Sequence, residues 1–253
     1  MDRIETTYRK RSIAAAVLLG CFILLALAVK SGLTQEFDLA VMQFFYSLRN
    51  SVTEAILIPL THCGNWKVIV PLMLILVLHP LTRKRIGFPA ALTGALGFAV
   101  YKVLKTAIAR PRPDSAMWLV TEHGYSFPSG HTMNGLICYG IIAFLVWRAL
   151  HISARPRAAK RIAVLLGILV FFIAISRPFV GVHYLTDVVG GGCMGAAWLL
   201  CATIFWDKVF RRERSKETIA ADENTEADMA DDTAADDTAE KQPHDQPANT
   251  SQS

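Results

Sequence analysis

Ile13-Ala-Ala-Ala-Val-Leu-Leu-Gly-Cys-Phe-Ile-Leu-Leu-Ala-Leu-Ala-Val29 contains no charge, hydroxyl or amide side chain. At about 1.5 Å of rise per residue, such a run covers most of a hydrocarbon core about 30 Å thick. Arg9-Lys10-Arg11 precedes it and Lys30 closes it. A basic start also suits a secretory signal, but no Ala-x-Ala cleavage site follows, since the chain continues Lys30-Ser-Gly-Leu-Thr. The expectation is an uncleaved first membrane span.

Working outward, similar blocks recur. Val68–Leu78 is short and reaches span length only with residues between Gly64 and Leu81; longer blocks run through Ile86–Ile108, Leu136–Leu150, Ile162–Ile175 and Val188–Trp206. With 53% hydrophobic residues and a mean hydropathy of +0.35 over 253 residues, an ordinary soluble domain is excluded. The expected fold is all-α: a polytopic membrane helix bundle of about six transmembrane helices. Phe37–Leu48 has an apolar face and is expected as an interfacial helix on the outer leaflet.

Charge sets the orientation and the domain limits. Arg9–Arg11, Arg83-Lys84-Arg85, Arg155/Arg157/Lys160/Arg161 and Arg211/Arg212/Arg214 occupy every second connection. The positive-inside rule then places both termini in the cytoplasm of a cell-membrane protein and the other loops outside. Residues 1–216 hold 25 Lys and Arg against 10 acids, whereas residues 217–253 hold one Lys against 11 acids. The second segment has too few large apolar residues for a core. Residues 1–216 are therefore expected to form the membrane domain and 217–253 a disordered acidic cytoplasmic tail. The cluster Lys208–Lys216 suits anionic headgroups or pairing with that tail.

Three stretches break the apolar pattern, and all fall on the outward side. In Lys105-Thr-Ala-Ile-Ala-Arg-Pro-Arg-Pro113, two prolines end a helix and stiffen its exit, fixing where Arg110 and Arg112 point. Lys102 and Lys105 either snorkel to headgroups or, for Lys105 beside those arginines, help bind a tetrahedral anion. Pro128-Ser-Gly-His131 starts a helix: Ser129 is either an ordinary cap or part of an anion site at free helical amides, with Gly130 permitting close approach. His183 and Asp187, four residues apart, would share a helix face, so that a carboxylate fixes one ring nitrogen and frees the other; a capping Asp beside an interfacial His is the alternative. Arg177 adds a third cation at the preceding span end.

Taken together, Lys105-x6-Arg112-Pro113, Pro128-Ser-Gly-His131 and Ser176-Arg177-x5-His183-x3-Asp187 resemble the three-part signature of the type 2 phosphatidic acid phosphatase family. That superfamily also includes acid phosphatases and vanadium haloperoxidases. The likeness covers about Arg83 to Trp206, departing only where Tyr-Leu-Thr precedes Asp187. It implies His183 as the nucleophile forming a phosphohistidine, His131 as proton donor and then water activator, and Asp187 as the group orienting His183. Lys105, Arg112, Ser129, Gly130 and Arg177 would hold the phosphate. The implied activity is metal-independent hydrolysis, without cofactor, of phosphate monoester or diphosphate lipids: undecaprenyl diphosphate, phosphatidic acid or phosphatidylglycerol phosphate. A lipid-to-lipid phosphotransferase or a non-catalytic phospholipid binder or transporter are the alternatives. Expected partners are the phosphorylated lipid and membrane lipids, with no nucleic acid; oligomeric state is left open.

The remaining features have plain readings. Cys21, Cys138, Cys193 and Cys201 lie within spans as small apolar residues, and Cys63 lies near a span end; none suggests a disulfide framework or zinc spacing. Gly191-x3-Gly195 permits close helix packing. His123, in the loop Trp118–Phe127, is either a loop histidine with no specific task or a substrate contact.

Overall fold

Inside a bilayer only a helix satisfies every backbone group of a single segment, and the apolar blocks are all helical. The computed structural model describes residues 2–152 and 155–239. Eight α-helices occur among the described residues: α1 (Asp2–Lys30), α2 (Gln35–Ser47), α3 (Ser51–His62), α4 (Trp66–Leu78), α5 (Phe88–Ile108), α6 (Gly130–Ile152), α7 (Pro156–Phe179) and α8 (Leu185–Ala239). Five stretches are long and apolar enough to cross a membrane: Ile4–Lys30, Arg83–Ile108, Gly130–Leu150, Pro156–Phe179 and Leu185–Ala221. The pair α3 and α4, bent by 47° at a short break, passes the same test together and brings the number to six if it is one span. The chain is a multi-pass membrane protein.

That bent pair explains the short second block. Its missing length comes from α3, upstream of a polar interruption at Thr61–Asn65. Asn65 caps α4 by accepting from the Lys67 N–H at 3.0 Å, and Asn50 forms a capping box at the start of α3. Tyr139 on α6 donates to the Cys63 carbonyl at 2.7 Å and holds the break against the bundle.

The core runs along α6. Met133, Ile137, Ile141 and Leu145 recur at helical spacing and are all buried. Helices α5 and α7 pack on this helix. The start of α8 also approaches it closely: a Cβ on Gly191 would meet the Ser129 carbonyl oxygen at 2.7 Å, and one on Gly195 the Met133 carbonyl oxygen at 3.0 Å. The expected close packing at these glycines is therefore present. Leu24, Leu27, Leu74, Ile75, Val103, Leu165 and Phe171 point outward, as lipid contact requires.

Helix α2 has two apolar sides. Phe37, Leu39 and Phe44 are exposed, whereas Met42, Phe45 and Asp38 are buried, with Phe45 in a cluster with Phe179, Val180 and Val182. It thus packs into the protein as well as presenting an outward face.

The described residues up to Trp206 form one unit and those from Asp207 a second. In the second, the side chains of residues 211–221 are exposed, in keeping with a segment that cannot build a core. Its backbone runs as a helix to Ala239. Residues 240–253 of the expected tail lie outside the described residues.

Candidate active site

Helix α5 ends at Ala109, whose left-handed φ of 52° lets its N–H reach the Lys105 carbonyl at 3.1 Å. Lys105 does not snorkel. It is 7% exposed, and its ammonium donates to the Tyr101 hydroxyl at 2.8 Å. That hydroxyl lies against Gly130, where a Cβ would meet it at 2.6 Å, so Tyr101 links the first two stretches. Lys102 instead is exposed, with its ammonium 5.3 Å from the centre of the Phe98 ring.

The two arginines after α5 diverge. Arg112 donates to the Gly124, Val182 and His123 carbonyls at 2.9, 2.7 and 3.1 Å, and its Nη1 lies 3.2 Å from His183 Nε2. The only His123 atom in this set is its carbonyl; the side chain is exposed. Arg110 turns away from the anion site to two buried carboxylates, Asp187 at 2.7 Å and Asp38 at 2.7 Å. Its guanidinium also stacks 4.0 Å over the Tyr184 ring.

His183 and Asp187 meet, though not as two residues of one helix. Helix α8 begins at Leu185, so His183 precedes it in a turn set by Gly181 at φ 83°. From there His183 Nδ1 reaches Asp187 Oδ2 at 3.3 Å. Asp187 also accepts from the Tyr184 N–H at 2.9 Å, so it caps its own helix while facing the imidazole. One carboxylate thus bonds both the start of its own helix and the His183 ring. Ser126, fully buried, donates to Asp187 Oδ2 and lies 3.3 Å from His183 Nδ1.

Around His183 Nε2 stands the second half of the site. Arg177, fully buried at the end of α7, donates to Thr61 Oγ1 and to Glu122, each at 2.5 Å. Glu122 also lies 3.7 Å from Arg112 and 3.6 Å from His131 Nδ1. A carboxylate therefore rests between the cations expected to take phosphate. Ser129 immediately precedes α6; its hydroxyl accepts from Thr132 at 3.1 Å, and its N–H is engaged by the Asp187 carbonyl at 2.9 Å. The Ser129 amide is thus used to join the starts of α6 and α8, and is not one of the free amides expected at this turn.

Electrostatics follow from this crowding. Burial, then the cations Arg112, Arg177 and Lys105, hold His183 well below the usual imidazole range, so the ring is neutral. Burial also lowers Arg112, partly offset by Glu122. For Arg110, burial opposes the charge, but Asp187 and Asp38 outweigh it and raise the guanidinium above its ordinary value.

Lys105, Arg110, Arg112, Ser129, Gly130, His131, Arg177, His183 and Asp187 thus lie in this one cluster, whereas Lys102 stands apart from it. Four others join it that sequence reasoning missed: Asp38, Glu122, Ser126 and Thr61. Asp38 carried a weak signal, being an acid on a helix otherwise read as apolar. Glu122 and Ser126 sit in a loop with no periodicity to mark them.

The PAP2 superfamily model matches residues 87–211. Phosphatidylglycerophosphatase B of Bacillus subtilis (strain 168) is 30% identical over 192 residues, which is 75% of this chain and 93% of that protein. Undecaprenyl-diphosphatase of Sulfolobus acidocaldarius is 25% identical over 191 residues, covering 72% and 86%. The crystal structure of a transmembrane PAP2 type phosphatidylglycerolphosphate phosphatase from Bacillus subtilis superposes with a TM-score of 0.70 at 29% identity, covering 77% of this chain and 96% of that one.

Proposed function

The chain belongs to the PAP2 superfamily of membrane lipid phosphatases, and we propose that it removes phosphate from lipid phosphate monoesters or diphosphates through a phosphohistidine on His183. The observation that carries this reading is the division of labour on one ring. Nδ1 faces Asp187 and Ser126, while Nε2 points at Arg112 among the cations. A proton on Nδ1 bonded to Asp187 leaves the Nε2 lone pair free, and the depressed basicity of His183 keeps that pair available.

In the first step Nε2 forms a bond to phosphorus as the bond to the lipid oxygen breaks, and protonated His131 gives its proton to that oxygen. In the second, water attacks phosphorus, His131 takes the water's proton, the N–P bond breaks and phosphate leaves. Lys105, Arg112 and Arg177, with Ser129 and Gly130 at the start of α6, hold the phosphate and neutralise its charge. Phosphoryl transfer asks for little more than such positioning and charge stabilisation.

The substrates proposed are undecaprenyl diphosphate, phosphatidic acid and phosphatidylglycerol phosphate. Two of these fit the names of the similar proteins. The site is proposed to face outside, with both termini in the cytoplasm, because the basic connections alternate with the site-bearing ones.

Phosphate release by purified protein against this lipid panel, with and without EDTA, tests the activity. Release that is unchanged by EDTA, together with acid-labile phosphate trapped on the wild type and absent from His183→Ala, is expected. Turnover by His183→Ala at the wild-type rate would overturn the mechanism. An impermeant thiol reagent, applied to intact cells carrying an engineered cysteine in residues 118–127, tests the facing. Labelling is expected there.

A further inference from the structure

Asp38 is fully buried on α2, and its carboxylate bonds both the start of α8 and Arg110. Its Oδ1 accepts from the Thr186 N–H at 3.1 Å; its Oδ2 accepts from the Thr186 hydroxyl at 2.6 Å and from Arg110 at 2.7 Å. Arg110 in turn bonds Asp187 Oδ1 at 2.7 Å and the Thr186 hydroxyl at 2.8 Å. The series runs Asp38, Arg110, Asp187, His183, with Thr186 bonded to the first two.

Two consequences follow from elementary electrostatics. The first turn of a helix has N–H groups without intrahelical partners, and Asp38 satisfies one of them from another helix. It thereby fixes the rotation of α8 that aims Asp187 at His183. Second, Arg110 alone would neutralise Asp187 and weaken its hold on an imidazole that turns cationic when phosphorylated. A second carboxylate on the same guanidinium divides that positive charge and restores the net negative charge facing the ring.

We infer that Asp38 is a positioning residue for phosphoryl transfer, acting through Arg110 and Thr186 on the Asp187–His183 pair. The inference rests on the proposed role of that pair. It makes α2, which lies outside the three signature stretches, part of the reaction machinery. Asp38 touches no reacting atom. Its loss is therefore expected to slow the chemical step while leaving phosphate binding by Lys105, Arg112 and Arg177 in place.

The experiment is a double-mutant cycle on phosphate release from a short-chain phosphatidic acid in detergent micelles. It uses wild type, Asp38→Asn, Asp187→Asn and the double variant, each checked for monodispersity and Tm. Asp38→Asn is expected to lower kcat by about ten- to a hundredfold with KM within about twofold, as for a group that acts only on the transition state. In the Asp187→Asn background the same change should cost less than about threefold, since the carboxylate it acts through is gone. Arg110→Lys, which keeps the charge but breaks the fork, should reproduce the kcat loss and serves if Asp38→Asn does not fold. Unchanged kcat in Asp38→Asn, or in Arg110→Lys where that variant stands in, would overturn the inference. So would a full Asp38→Asn loss persisting without Asp187. If Asp187→Asn itself leaves kcat intact, the proposed role of the pair fails instead, and the two failures are distinct.

Discussion

The two sides of the His183 ring differ in kind. On the Nδ1 side, Asp187, Ser126, Thr186 and Asp38 are all buried and tied by short hydrogen bonds to one another or to Arg110. On the Nε2 side, Arg112, Arg177 and His131 share a single carboxylate, Glu122, which is a fifth exposed and comes from a loop. One side is a closed network with its partners built in. The other is a cation cluster holding a replaceable anion. In the proposed mechanism a nucleophile needs the first and a phosphate needs the second, so the asymmetry would separate orientation from binding.

The harshest test of that separation removes the ring itself. His183→Ala should reduce phosphate release by about 10⁴-fold or more, the scale of losing a nucleophile, with lipid binding retained. Asp187→Asn strikes only the orienting side; a loss of about 10²–10⁴ in kcat with residual turnover is expected. Both are measured by single-turnover release, and a larger loss for Asp187→Asn than for His183→Ala would reverse the assigned roles. The pH profile sharpens the point. His183 must be neutral to attack, and its basicity is depressed, so the acid limb belonging to it should lie below the ordinary imidazole value of about 6.5. Removing the Asp187 charge should push that limb lower still, and a shift upward would contradict the assignment.

On the binding side, Arg177→Lys keeps charge but loses the fork that meets Glu122 and Thr61. A rise in KM and a fall in kcat/KM of about 10²-fold are expected, as when one preorganised donor is lost. Glu122→Gln should act in the opposite direction. With the competing carboxylate neutralised, vanadate, a phosphate analogue, should inhibit about three- to tenfold more tightly. Weaker inhibition would mean that Glu122 cooperates with the bound anion. The smallest effect belongs to the acidic segment. A protein ending at Lys216 should keep specific activity within about twofold and stability within about 0.5 kcal/mol, since the acidic segment removed has too few large apolar residues to build a core.

Legibility in the sequence follows the same asymmetry. Lys105, Arg112, His131, Arg177, His183 and Asp187 were readable because each sits at fixed spacing from a helix end, and charge beside an apolar span costs roughly 2.5–3.5 kcal/mol at its centre. The spans were readable from hydropathy alone. Asp38 was not, because its partner Thr186 lies 148 positions away and an acid in a helix's first turn has an ordinary dipole explanation. Glu122 was not, because loop residues carry no period. The bent second span was obscured by Thr61-His-Cys-Gly-Asn65, whose polarity splits one crossing into a loop and a short block.

The break between α3 and α4 has one more consequence. A Cβ on Gly64 would come within 2.7 Å of Ile173 Cγ2 and 3.0 Å of His131 Cδ2. The place of His131 is thus defined partly by an atom that is missing from its neighbour. Outward-facing leucines can drift to isoleucine or phenylalanine over generations with little effect on the interior. Any side chain at position 64 must displace either the imidazole or Ile173. Substitution at Gly64 is therefore expected to be as constrained as at the charged residues, although glycine contributes no functional group of its own.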